Sequence, residues 1–381
     1  MRGRHLEGAV LVDAKLTDVD FSAAKLQDAS LVRADLRGAK FECASNEGDK
    51  LANRKRPDPL IACTQFQGAI FINANLQSVK FYGANLGEAN FSGADLQDAK
   101  FLCFNWEANN KNIMELGTNE LECTQAEQAV FEGAKLQRAV FNGARLNKSR
   151  FAKANLENAQ FHCANRVADR IATTRIYKTW AIEPDPVCTQ LREVVFEEAR
   201  LQGAFFDNAH LEGAQFAWIH GEGAVFDWAQ LQGASFHQAH LEGASFSYAH
   251  LEGSEFFDAY LMCTALDRAH LVGAAMYGAK LNGAVLNWAS LQAASLVKAD
   301  LTGAEIFRAH IWMTDTSDAF GHGKRAVLLN EEEFKVSDFD AIVEQIRLKI
   351  ALTEPLSQRL NNARMSLENK KEFHSRNMRD F

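Results

Sequence analysis

Seven cysteines and eleven histidines are the residues of this chain best suited to chemistry. Six of the cysteines fall into two repeated phrases. One phrase is Phe41-Glu42-Cys43, Phe101-Leu102-Cys103 and Phe161-His162-Cys163; the other is Cys63-Thr64-Gln65, Cys123-Thr124-Gln125 and Cys188-Thr189-Gln190. Thiols at such spacing can form disulfides, sense redox state or bind a metal. No secretory signal is visible, so the expectation is reduced cysteines used as small packing residues. The absence of any Cys-x-x-Cys weakens the metal reading. The histidines cluster late, in Ala-His-Leu phrases: His210, His250, His270 and His310 are separated by multiples of 20, as are His220 and His240. With no carboxylate or cysteine obviously arranged beside them, they read as outer-surface residues rather than metal ligands. Gly-x-Ser-x-Gly, phosphate-loop and His-Glu-x-x-His signatures are all missing. No catalytic residue, cofactor or metal is expected, and the chain reads as a non-enzyme.

Aromatic and basic residues suggest recognition instead. Trp228, Tyr248, Arg268, Trp288 and Arg308 recur every 20 residues. A row of exposed Trp, Tyr and Arg has the composition of a protein-binding surface; intramolecular cation–π stacking or cover by the C-terminal segment would serve structure instead. A second set of candidates comprises Lys50, Arg54, Lys55 and Arg56, with Arg166, Arg170 and Trp180.

The element that must position these residues has a period of five. Large apolar residues stand at Leu6, Leu11, Leu16, Phe21, Leu26, Leu31, Leu36 and Phe41, then at Phe66–Phe101, Phe131–Phe161 and Leu191–Ile311. Gly221 is the one clear failure at such a position. A small residue, usually Ala, lies two places before each large one. Five matches neither the helical nor the strand period. It requires a backbone that turns a corner every five residues, so that four sides close a coil of 20 and stacked coils pair like parallel strands about 4.8 Å apart. Large residues then point inward. Gly two places after the large residue (Gly8, Gly38, Gly68, Gly133) fits a corner that visits positive φ. The count of 27 Phe against 5 Tyr fits a dry core in which a hydroxyl would find no partner.

Segments such as Ala34-Asp35-Leu36-Arg37-Gly38 and Ala94-Asp95-Leu96-Gln97-Asp98 resemble the pentapeptide-repeat family over roughly residues 4–315. That resemblance implies an all-β solenoid, a right-handed quadrilateral β-helix. This chain departs from the family pattern by placing His, Lys or Gln at many Asp/Asn positions. Some family members resemble a DNA duplex and bind type II topoisomerases, and gyrase-protecting members carry projecting loops and a C-terminal helical dimerisation element.

Three interruptions, about 42–64, 102–124 and 162–189, preserve the frame because each adds a multiple of five. With Ala126 counted as a weak member, each early block is two full turns. The loops should therefore leave from one side, about 10 Å apart. The alternative is one degenerate coil per interruption. The domain reading is thus a β-helix over 1–316 and a helical cap or dimerisation segment over 317–381. In that segment Phe339, Ile342, Val343, Ile346 and Ile350 share a helical face, and Leu356, Leu360, Ala363 and Leu367 form a second stripe.

A net charge of −8 argues against a dedicated nucleic-acid binder. No stretch is long and apolar enough for a membrane span. The first residues lack a signal-peptide core and enter the repeat almost at once, which leaves a longer parent chain open; cytoplasmic is the default location. The function expected is an interaction scaffold with a rod-like repeat surface, loops, a protein partner and possible homodimerisation through the C-terminal helices. The alternative is a DNA-mimicking modulator of a type II topoisomerase, which would need a continuous acidic face.

Overall fold

The computed structural model describes residues 1–45, 61–104, 123–164, 187–311 and 313–319. Within them the chain winds as a four-sided coil. Single-residue parallel bridges recur every five residues, and each joins a residue to its counterpart on the next coil, 20 further on where no interruption intervenes, as in His5↔Lys25, Val10↔Ser30, Lys15↔Asp35 and Asp20↔Lys40. The bridging residue is the one before the large residue. The large residue's N–H donates to the next coil, as Phe91 does to the Val130 carbonyl at 2.7 Å. At most sides the small residue's N–H closes a tight turn on the large residue three places earlier, as from Ala94 to Phe91 at 2.9 Å. These pairings satisfy the backbone polar groups that five-residue corners would otherwise strand.

Two compact units are present. One comprises Met1–Arg150 with Ala159–Gln190, the other Phe151–Asn158 with Leu191–Phe381. In the first, Phe21, Phe41, Phe81, Phe101, Phe141 and Phe161 form a column of stacked rings with successive centroids 4.4–5.3 Å apart. In the second, Phe196, Phe216, Phe236 and Phe256 stack at 4.7–5.1 Å. A neighbouring column of Phe206, Phe226 and Phe246 meets them edge to face. These are the two arrangements that the ring quadrupole favours. Leu6 and Leu11 of the first coil stay partly exposed, because only one neighbouring coil covers them.

Two departures from the repeat have a structural reason. Gly221 keeps the coil backbone, its N–H donating to the His240 carbonyl at 2.7 Å, while Ile219 at the small-residue position is fully buried. A Cβ on Gly221 would meet Ile219 Cδ1 at 3.2 Å and Leu241 Cδ2 at 3.1 Å. The volume has moved two residues upstream. Ala126 is a full coil member, buried and paired to the Arg145 carbonyl.

The first two interruptions insert between coils that remain neighbours: Lys25 bridges Gln65 and Lys40 bridges Lys80, then Asn85 bridges Gln125 and Lys100 bridges Val140. Lys40, Lys80, Lys100, Val140 and Gln160 form one column, so all three interruptions leave beside the same corner, two coils apart. At the first, β1 (Ala44–Ser45) and β2 (Ile61–Ala62) pair antiparallel. At the third, Ala164 and Val187 form an antiparallel bridge. The coil backbone continues through Ala319, with Leu296 donating to the Asp315 carbonyl and Lys298 to that of Ser317. The stripes from Phe339 to Leu367 lie outside the described residues, as do the bodies of the three interruptions.

Candidate functional site

The corner two places after each large residue has positive φ throughout the regular coils, and at many corners the residue is not glycine. Trp228, Tyr248, Arg268, Trp288 and Arg308 have φ of 61°, 60°, 56°, 62° and 55°. This left-handed backbone, sparse for residues with a Cβ, turns the side chain away from the core. Columns in register place the five side chains in one row, because Val225, Ser245, Ala265, Val285 and Glu305 bridge successively beside them.

The row is continuous. The Trp228 and Tyr248 rings stack, the Arg268 guanidinium lies 5.5 Å from the centroids of both Tyr248 and Trp288, and Arg308 lies 4.6 Å from Trp288. Trp228 keeps 53% of its surface exposed and Trp288 39%. Phe307 is also exposed and meets Trp288 edge to face. The expected stripe is thus assembled, and its internal cation–π stacking is present as well. An Arg held between two rings is fixed in direction by its cation–π contacts on both sides.

Lys50, Arg54, Lys55, Arg56, Arg166, Arg170 and Trp180 lie outside the described residues. The necks they follow are described. Contrary to the expectation of reduced thiols, Cys43 is joined to Cys63, Cys103 to Cys123 and Cys163 to Cys188. The cause is geometric. Chain that leaves and re-enters at one corner brings the paired Cα atoms to 3.7, 3.6 and 3.6 Å. The threonine after each closing cysteine is buried and fastens the neck to the coil. The Thr64 hydroxyl reaches the carbonyls of Phe21 and Glu42 at 3.2 and 3.0 Å. Thr124 reaches those of Phe81 and Leu102, and Thr189 those of Phe141 and His162.

The histidines also stack in columns. His250 and His270 lie 4.6 Å apart, His220 and His240 5.1 Å. The sequence reading found no carboxylate beside them, yet both columns have carboxylates, Glu252 in the first and Glu222 with Glu242 in the second. Glu252 Oε1 is 3.2 Å from His250 Nδ1, and Glu242 Oε1 is 3.4 Å from His240 Nδ1. The signal was in the phrase His-Leu-Glu, where a corner folds residues two apart toward each other.

The family model for pentapeptide repeats matches in eight copies over residues 5–44, 62–101, 127–165, 189–219, 223–261 and 266–306. No curated protein matches the chain. Among solved structures, HetL, a pentapeptide repeat protein involved in heterocyst differentiation regulation from Nostoc sp. strain PCC 7120, is 19% identical. That match covers 84% of this chain and 92% of HetL, with a TM-score of 0.23. Full-length QnrB1, a plasmid-mediated fluoroquinolone resistance protein, is 17% identical over 59% of this chain and 95% of its own, with a TM-score of 0.21. The periplasmic alginate epimerase AlgG is 8% identical over 83% of this chain and 75% of its own, with a TM-score of 0.25. None of these scores is high enough to carry a function across.

Proposed function

The chain belongs to the pentapeptide-repeat family of right-handed β-helix proteins, and from that premise we propose that it is a non-enzymatic scaffold that binds a protein partner through its aromatic–arginine row. The observation that carries this reading is the unbroken stack Trp228–Tyr248–Arg268–Trp288–Arg308. Trp, Tyr and Arg dominate the energetics of protein interfaces. Most of these left-handed corners carry a residue other than glycine, so the row is set apart by its unbroken stacking of rings and guanidinium groups rather than by its backbone. Glycine does fill that corner at many others, Gly243 and Gly283 among them.

The basic loop residues, Lys50 to Arg56 and Arg166 to Arg170, belong to the same proposal as a second contact region. Duplex mimicry is the less favoured reading. Asp13, Asp95, Asp98, Glu132 and Glu157 each face an Arg or Lys on an adjoining coil, which interleaves the charges such mimicry would need to be uniformly negative. No helix among the described residues is long and apolar enough to cross a membrane. Three disulfides fit an oxidising compartment better than the reducing cytoplasm first expected.

The test is affinity capture from the native organism with the parent chain and with a Trp228→Gly/Trp288→Gly variant. The reading expects a partner held by the parent and lost by the variant. Equal capture by both would move the interface away from this row.

A further inference from the structure

Among the described residues, five pairs place a histidine and a glutamate two residues apart at one corner: His5–Glu7, His210–Glu212, His220–Glu222, His240–Glu242 and His250–Glu252. The last has a distinctive neighbour. Above His250 the next coil supplies a second imidazole, His270, but no second carboxylate, because Val272 stands where the glutamate would be and is buried. Two imidazoles therefore share the single carboxylate of Glu252. That carboxylate belongs to a residue with only 7% of its surface exposed. Its Oε1 accepts from His250 Nδ1, while its Oε2 is buried with no hydrogen-bond partner. A buried carboxylate oxygen left unpaired is costly, and a bound cation is one means of satisfying it. A ligand nitrogen or oxygen from each of the three residues lies within 4.8 Å of the others.

We propose that His250, Glu252 and His270 form a binding site for a borderline divalent transition-metal ion, with Zn²⁺ as its representative. Two imidazole nitrogens and one carboxylate oxygen are the donor set such ions select over Mg²⁺ or Ca²⁺, which prefer all-oxygen sites. Three protein ligands leave a coordination position for water or for a side chain of a docking partner. The site is ready in charge as well as in position. Coils on either side add no competing charge to this column: Gln230 lies below and Ser290 above. A second cluster, Glu222, His240 and Glu242, has one imidazole between two carboxylates. It is the poorer set for Zn²⁺ and an internal control.

The experiment uses the full oxidised chain carrying Cys263→Ser, which removes the free thiol as a competing ligand. After chelator treatment it is titrated with Zn²⁺ by calorimetry and with Co²⁺ by visible absorption. The expected result is a ligand-field band, with binding weakened more than about ten-fold in both H250Q/H270Q and the isosteric E252Q. In H220Q/H240Q that binding should persist. Three results would overturn the proposal: no binding by the parent, parental affinity in a folded H250Q/H270Q or E252Q chain, or equal loss in H220Q/H240Q. E252Q keeps the buried shape, so it decides the matter if the double variant fails to fold.

Discussion

Trp228 and Tyr248 lie ring on ring, their centroids 4.2 Å apart and their planes within 5° of parallel. Both sit at left-handed corners, which separates binding from folding. In Trp228→Gly or Trp288→Gly the lost ring contacts are offset by relief of a backbone that favours glycine, each of order 1 kcal/mol. The expected outcome is a denaturation midpoint close to the parent's, within about 1 kcal/mol, together with loss of partner binding. Denaturant titration and the capture assay read the two effects independently.

Ile219 and Gly221 should be energetically coupled. Gly221→Leu alone crowds Ile219 and Leu241 and should cost about 1–3 kcal/mol. Ile219→Ala alone opens a cavity at a fully buried site and should cost about 2–5 kcal/mol. The double variant restores the common arrangement of small then large residue and should be more stable than the two single costs predict, by at least about 0.5 kcal/mol. A double-mutant cycle in urea measures this.

Leu241 is fully buried between stacked coils. Leu241→Asp places a carboxylate in that dry stack and should cost more than about 4 kcal/mol. Loss of the cooperative thermal transition, followed by circular dichroism, is the expected signature.

The thiols give a chemical count. One cysteine of seven, Cys263, should react with a maleimide in the oxidised native chain, and all seven after reduction in denaturant. Replacing Cys43 and Cys63 by Ser opens a closure of 20 residues in sequence and should cost about 3 kcal/mol.

His270 sets a pH dependence. Its folded pKa is depressed, first by burial, so the unfolded chain binds more protons just below the ordinary histidine value of about 6.5. Stability attributable to this residue is therefore complete above that pH and is lost as the pH falls from there toward the folded value. His270→Gln should lose less stability between about pH 7.5 and pH 5.5 than the parent, as read from urea midpoints at the two pH values.

Much of this was legible in the sequence because one five-residue period governs every coil. Large positions such as Phe91 and Leu241 could be assigned to the core, and residues 20 apart, such as Trp228 and Tyr248, to one row. What was not legible depends on contacts across a corner or on the environment. The Glu252–His250 pair runs along the chain rather than up the column, so a search at intervals of 20 passes over it. Gly221 looks like a fault until Ile219 is seen to fill its space. For the six neck cysteines the choice between thiol and disulfide was referred to the compartment rather than to the shared corner that brings their Cα atoms together.

The closing cysteine lies 20 residues after its partner in the first two necks and 25 after it in the third, and Arg145 still bridges Gln190 across the longest of them. Each neck is therefore a socket of one geometry that closes over segments of two lengths, 20 or 25 residues from cysteine to cysteine. Segments of unequal length can be exchanged there, by recombination or by design, while the phase of every later coil stays fixed.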